Sequence, residues 1–336
     1  ESGLAIVLDL QDGSILSSVS LPDYNPENRN NYNNNNLINR VFQSNYEMGS
    51  TFKPITATIG FDLGLIKPNM TFDVTKKFFN IGDHSKYKDD GIYDIEKIIT
   101  ESSNIGTAKM ASIIGQKNQK NFFEKIGFYN RIDIENKEAA KPLGNKNNWG
   151  PIETATIGFG HGFAITPLHL VKAYATLSNN GIEVNPTLQL NKKFEKKQIL
   201  DNKKSSKFFL NLLNSVVIKT EYTGPRIRID GYNIGGKTGT SELLNPDGGY
   251  FKDRNMTSFI GVFPVNKPRY IIYTAIEYPK KELGTNQKMT GARVNAPLVR
   301  EIILDMINIY NLPRNISNEI LKADTNFMYK IINAFI

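Results

Sequence analysis

The chain has 336 residues, a 40% apolar fraction and a formal net charge of +8, enough for one large domain or two ordinary ones. No apolar run approaches the roughly eighteen residues a membrane span needs, and the absence of cysteine excludes disulfides, thiol catalysis and cysteine metal sites. The three histidines, His84, His161 and His169, lack the i,i+4 spacing of a helical zinc pair, so neither a metal nor another cofactor is expected.

The opening Glu1-Ser2-Gly3 is neither a methionine start nor a signal sequence, so any anchor is expected upstream. "GLAIVLDLQDGSILSSVS" predicts a hairpin turning at Asp12-Gly13. "NPENRNNYNNNN" is a polar, low-complexity loop. A helix opens near Ser50, with Phe52, Ile55, Ile59 and Leu63 on one face and Gly64 and Pro68 at its end. From Asp94 to about Gly127 three helical segments follow, and Ser102-Ser103-Asn104 lies between the first two. A further helix is expected from Pro167 to Leu177, with proline in its first turn. The pairs Lys192-Lys193, Lys196-Lys197 and Lys203-Lys204 are short and lack interleaved aromatics. They read as solvated positions, and no nucleic-acid partner is expected. After the helix "SSKFFLNLLNSVVI" the character changes. "YNIGGKTGTSE", "MTSFIGVFPV" and "RYIIYTAIEY" are β-rich, and "APLVREIILDMINIY" closes as a helix with Pro297 near its start. Strands therefore lie at both ends and helices in the middle. If the terminal strands share a sheet, the fold is α/β or α+β with a helical insert.

Three motifs carry chemistry. Ser50 and Lys53 form Ser-x-x-Lys at a helix start, where backbone N–H groups lack partners and i,i+3 spacing puts both side chains on one face. A buried lysine near another cation has a lowered pKa and can take the serine proton. Taken alone, Ser50 reads more readily as a helix cap, and Ser85-Lys86-Tyr87-Lys88 matches the same pattern in a charged loop. Ser102-Ser103-Asn104 fits Ser-x-Asn, as does Ser178-Asn179-Asn180 at a helix end, and it too reads as a cap when alone. Gly231 to Thr238 formally fits a phosphate-binding loop, but Gly239, Thr240 and Ser241 follow where that loop needs a helix. Read as a strand, Lys237-Thr238-Gly239-Thr240 presents a cation and hydroxyls along one edge, with Gly239 admitting close approach of a ligand.

Ser-x-x-Lys, Ser-Asp-Asn and Lys-Thr-Gly in this order are the signature set of penicillin-binding proteins and class A β-lactamases; the middle member here is Ser-Ser-Asn. With "YEMGSTFKP", "SSNIGTAKMA", "WGPIETATIGFGHGFAITPLHLVKAYATLSNNG", "GGKTGTSE" and "TGARVNAPLVREII", the chain resembles the class B penicillin-binding proteins over nearly its whole length. The resemblance is strongest to their division-specific peptidoglycan D,D-transpeptidases. It implies the penicillin-binding-protein transpeptidase/serine β-lactamase-like fold, with a central antiparallel sheet flanked by helices. Residues 1–314 would be the transpeptidase domain and 315–336 a helical tail. The membrane anchor and pedestal domain would lie upstream, with catalysis in the periplasm.

The resemblance also implies roles. Ser50 would be the nucleophile and Lys53 its base. Ser102 and Lys237 would relay the proton. Asn104, Thr238, Gly239 and Thr240 would bind substrate. Peptidoglycan stem peptides, β-lactam antibiotics, a membrane-embedded glycan polymerase and other division proteins would be the partners. The family usually has tyrosine where His161 stands, so His161 is expected to line the cleft. A serine β-lactamase or β-lactam sensor, and a non-enzymatic division scaffold, are the other readings.

Overall fold

The computed structural model describes residues 2–28, 30, 32–83, 90–144, 149–245, 247–280 and 288–314. The expected tail at 315–336, His84 and the alternative motif at Ser85 lie outside the described residues.

Strands β1 (Ser2–Asp9) and β2 (Ile15–Leu21) form the expected antiparallel hairpin. Its turn closes through Gly13 N–H donating to Asp9 O at 2.9 Å, with Gly13 at φ +78°, a conformation that favours glycine. The asparagine-rich stretch is loop except for a single turn, α1 (Asn34–Leu37), whose Asn36 N–H is capped by the Asn33 side chain. Next come α2 (Arg40–Gln43) and β3 (Tyr46–Glu47), then a 3₁₀ turn, Gly49–Phe52, running into α3 (Lys53–Asp62). A β4–β5 ribbon (Thr71–Asp73, Ile92–Asp94) precedes α4 (Ile95–Thr100), α5 (Asn104–Ile114) and α6 (Gln116–Ile126). These three helices are the segments the pattern predicts. Further along are α7 (Pro151–Gly158), β6 (Ala164–Ile165), α8 (Pro167–Ser178), α9 (Ser205–Lys219) and α10 (Gly224–Ile227). The chain then returns to strands β7 (Gly235–Leu244), β8 (Tyr250–Phe263) and β9 (Tyr270–Glu277), and to α11 (Gly291–Tyr310).

The two ends do share one sheet. Its order is β2-β1-β9-β8-β7, antiparallel throughout, with Ser2 opposite Glu277 and Asp9 opposite Tyr270. Side chains alternate across a strand. Leu4, Ile6, Leu8, Ile260, Val262, Ile271 and Tyr273 therefore enter the core shared with the helical insert, while Val7, Phe259, Phe263 and Ile272 meet Val299 and Ile303 of α11. Helix α8 is buried on every side, as a helix through the middle of a large core must be. His169 belongs to that packing. Its Nε2 meets Asn130 O at 2.9 Å and its Nδ1 the Thr166 hydroxyl at 2.6 Å, and burial lowers its pKa to about 4.

Two expectations need correction. Leu63 is 43% exposed, because α3 ends at Asp62 and Gly64 turns the chain at φ +69°. Pro297 lies inside α11 rather than near its start. An interior proline costs about 3 kcal/mol, and burial of Ala292, Ala296 and Val299 along the same helix offsets it.

Candidate active site

Ser50 sits in the 3₁₀ turn rather than in the α-helix proper, which begins at Lys53. In a 3₁₀ turn residues i and i+3 eclipse, so the tighter winding keeps Ser50 and Lys53 on one face. The turn is braced on three sides. Tyr174 of α8 donates its hydroxyl to Thr51 O at 2.6 Å, and the Thr51 hydroxyl bonds Met48 O at 2.7 Å. The Gly49 N–H donates to Gly160 O at 3.1 Å. Strand β7 closes on it so tightly that a Cβ on Gly49 would stand 2.6 Å from Thr240 O.

Lys53 is wholly buried and donates to both the carbonyl and the hydroxyl of Ser102, the latter at 3.1 Å. Lys237 reaches the same Ser102 hydroxyl from the sheet at 3.2 Å. Register explains the meeting. Lys237 lies opposite Ile260 on the face turned to the insert, whereas Thr238 and Thr240 lie opposite Phe259 and Thr257. Ser102 occupies the corner between α4 and α5 at φ +59°. The cap of α5 is its neighbour: Ser103 Oγ accepts from Gly106 N–H at 2.9 Å. The two serines thus divide the cap and the cleft-facing hydroxyl between them.

Two ammonium groups sharing one hydroxyl in a water-poor site would repel each other. Burial lowers Lys237 to about 7. Burial first, then the Lys237 charge, pushes Lys53 well below the ordinary lysine value, while Asp83 draws it partly back. Asp83 is a residue the sequence reading missed. It sits about twenty positions from the motif that it serves, binding the Ser103 hydroxyl at 2.7 Å, the Ile105 N–H at 3.1 Å and the Asn104 N–H. Its carboxylate therefore covers the positive end of α5.

A cleft of about 1120 Å³ collects Ser50, Ser102, Asn104, His161, Thr238 and Thr240 in its wall. The two lysines lie buried behind it. Asn104 holds Gly82 O weakly at 3.4 Å, and the Thr238 hydroxyl accepts from Lys237 at 3.3 Å. Gly239 lines the cleft, and its missing side chain also lets the protein itself close in. A Cβ there would meet Ser258 Oγ at 2.3 Å, Thr51 Cγ2 at 2.9 Å and Met48 O at 3.2 Å. His161 stands in the wall as expected, and it pairs with Glu47, a second residue the motifs do not reveal.

Gly160 is equally confined. It sits at φ +84°, and a Cβ would stand 2.3 Å from Gly49 O. Gly160→Ala is expected to destabilise by about 2 kcal/mol or more through strain and overpacking, and to slow any reaction of Ser50. A thermal melt within one degree of wild type would show that the turn yields freely.

A family model for the penicillin-binding protein transpeptidase domain matches residues 3–304. The chain belongs to this family. The probable peptidoglycan D,D-transpeptidase FtsI of Caulobacter vibrioides is 29% identical, over 95% of this chain and 58% of the relative. The probable D,D-transpeptidase PenA of Neisseria flavescens is 30% identical, over 92% of this chain and 76% of the relative. Among solved structures, the transpeptidase domain of Burkholderia pseudomallei penicillin-binding protein 3 is 26% identical with a TM-score of 0.79, covering 94% of this chain and 91% of that one. Penicillin-binding protein 3 of the Mycobacterium species, solved with ampicillin, shares the fold at 22% identity and a TM-score of 0.83, over 94% of this chain and 74% of that one. The class B resemblance read from the motifs is borne out. As a transpeptidase-family domain, the chain spans little more than half the length of the Caulobacter relative.

Proposed function

We propose that the chain is a peptidoglycan D,D-transpeptidase domain acting through a Ser50 acyl-enzyme. The observation that carries the reading is the convergence of two buried lysine amines on the Ser102 hydroxyl, in the wall that also holds Ser50. Lys53, an amine depressed by burial and by the Lys237 charge, takes the Ser50 proton. Ser50 Oγ attacks the penultimate D-Ala carbonyl of a stem peptide. The proton passes through Ser102, beside Lys237, to the departing D-Ala amine. Asn104 holds the peptide amide, and Thr238 and Thr240 hold the terminal carboxylate. The backbone N–H groups of Ser50 and Thr240 face the developing oxyanion, and the contact of Gly49 with Thr240 supports that pairing. The amine of a second stem peptide then takes the acyl group. β-Lactams imitate the D-Ala-D-Ala end and stop at the first step.

Septal synthesis beside a glycan polymerase and other division proteins belongs to the same reading. So does a periplasmic domain, residues 1–314, on a single-pass inner-membrane anchor upstream. Among the described residues no helix is long and apolar enough to cross a membrane.

The reading separates from a β-lactamase by what happens to the ester. Class A β-lactamases deacylate with a glutamate between the second and third motifs. Here Glu124, Glu135, Glu138, Glu153, Glu183, Glu195 and Glu221 lie in that stretch, none with the Glu-x-x-Leu-Asn spacing. Among the described residues, the acidic groups of the cleft are Glu47, Asp83, Glu101, Glu242 and Asp253, all from outside it. Hydrolysis then lacks the roughly 10²–10⁴-fold that a positioned base supplies. A penicilloyl adduct mapped to Ser50 is expected to persist for minutes to hours after free drug is removed, followed by intact mass at neutral pH. Turnover within seconds, or a label elsewhere than Ser50, overturns the reading.

A further inference from the structure

Glu47 stands three positions before Ser50 on β3 and is only 4% exposed. Its Oε1 accepts the Gly162 N–H at 2.8 Å and the Tyr250 hydroxyl at 2.7 Å. Its Oε2 pairs with His161 Nδ1 at 2.9 Å. These partners come from two other segments, the loop after α7 and the start of β8. A single buried carboxylate thereby ties the strand leading into the nucleophile turn to two walls of the cleft. The same loop grips the turn a second time through the Gly49–Gly160 backbone bond. The His161 ring lies over Tyr250, 5.1 Å between centroids at 25°, and 6.3 Å from Phe159 at 14°. His161 is therefore stacked on Tyr250 as well as paired with Glu47.

A carboxylate this deep is retained only with its charge matched and its lone pairs occupied. Removing it would leave the His161 Nδ1 and the Gly162 N–H without their acceptor, and the Tyr250 hydroxyl with only a 3.5 Å contact to His161 Nε2, next to the turn that aims Ser50. We infer that Glu47 is a positioning residue for Ser50, and that His161 makes its hold on the nucleophile turn dependent on protonation. The inference rests on the acyl transfer proposed above and adds to it the part that a cleft-wall histidine plays.

Among the described residues, few charged groups face the pair. Glu242 of β7 acts on both His161 and Tyr250. On β3 itself, Tyr46 bonds Glu277, which also pairs with Arg40 at 3.6 Å. The bond to Glu47 raises the His161 imidazole above its ordinary 6.5, against the opposing effect of burial. Burial pushes the Glu47 carboxyl up, but the bonds from His161 and Tyr250 outweigh it and hold Glu47 below its ordinary 4.5. The signs fix the window. The His161 contribution is complete below 6.5 and is lost as pH rises through the raised imidazole value. The Glu47 contribution is complete above 4.5 and is lost as pH falls through the depressed carboxyl value. Between those limits both charges are present and the turn is held hardest.

The test measures second-order acylation by a labelled penicillin from pH 5 to 9 for wild type, Glu47→Gln and His161→Phe. Melting curves and histidine NMR titrations accompany it. With three histidines in the chain, His161→Phe assigns its own resonance. Glu47→Gln is expected to slow acylation about tenfold or more through displaced geometry and to bring the His161 pKa down to 6.5 or below. His161→Phe keeps the stacking and removes the wild-type loss of rate through the imidazole titration. Equal rates for Glu47→Gln and wild type, or a pH profile unmoved by His161→Phe, overturn the inference. If Glu47→Gln does not fold, His161→Phe alone decides. A wild-type chain that penicillin does not label at Ser50 refutes the acyl-transfer reading instead, so the two failures are distinct.

Discussion

Lys53→Met is expected to slow acylation by penicillin about 10³–10⁴-fold, the loss that removal of a positioned base from a serine nucleophile produces. Methionine nearly matches the volume of lysine and belongs in a site with no solvent exposure, so the loss is not one of folding. The groups that would hold the drug, Asn104, Thr238 and Thr240, are untouched, and the defect falls on the chemical step rather than on initial binding. Two features favour Lys53 over Lys237 as the proposed base. Lys53 follows Ser50 by three positions, where the 3₁₀ turn runs into α3. Its amine is also lowered by the Lys237 charge in addition to burial, whereas Lys237 is lowered by burial alone. Stopped-flow acylation with near-ultraviolet circular dichroism as the folding control measures it. A rate within tenfold of wild type, still at Ser50, would assign the base elsewhere.

Much of this site is legible in sequence because its members sit on regular elements. Ser50 and Lys53 differ by three positions at a helix start, and that spacing survives the finding that the turn is 3₁₀. Lys237 sits on a strand bounded by glycines, where alternation decides which way it faces once its partner strand is known. The hairpin at the start and the strands near the end each announce themselves, and a shared sheet is the economical way to bury both. The long-range contacts are not legible. Glu47 and Tyr250 are 203 positions apart, and no local pattern joins them. Asp83 borders a charged loop that gives no sign of the helix it caps. Gly239 illustrates a different limit. Sequence shows that something must come close to a glycine, but not that the protein's own Met48 and Thr51 are among its close neighbours.

Lys237→Met is expected to reduce acylation about 10²–10³-fold and yet to raise the melting temperature near pH 7. The loss of rate has two sources. The substrate carboxylate loses a neighbouring cation. Lys53 loses the charge that helps keep it deprotonated, so the acid limb of its pH–rate profile moves to higher pH. The gain in stability follows from linkage. Lys237 titrates at about 7 when folded, against 10.5 for the ordinary side chain. The unfolded chain therefore binds more protons across that interval, and stability rises with pH. The penalty for burying this ammonium is complete below pH 7 and is relieved as pH approaches 10.5; at its fullest it is about 5 kcal/mol. Against it stand hydrogen bonds to Ser102 Oγ, Thr238 O and Thr238 Oγ1 at 3.2, 3.2 and 3.3 Å, each worth about 1 kcal/mol. Methionine removes both the penalty and the bonds, leaving a small net gain below pH 7 that reverses toward pH 10, where wild type no longer carries the penalty but keeps its bonds. Melting curves for both proteins between pH 6 and 10, beside acylation rates at each pH, measure the crossing. Parallel melting curves would mean that Lys237 stays charged in the fold. An unchanged rate would make it a structural residue.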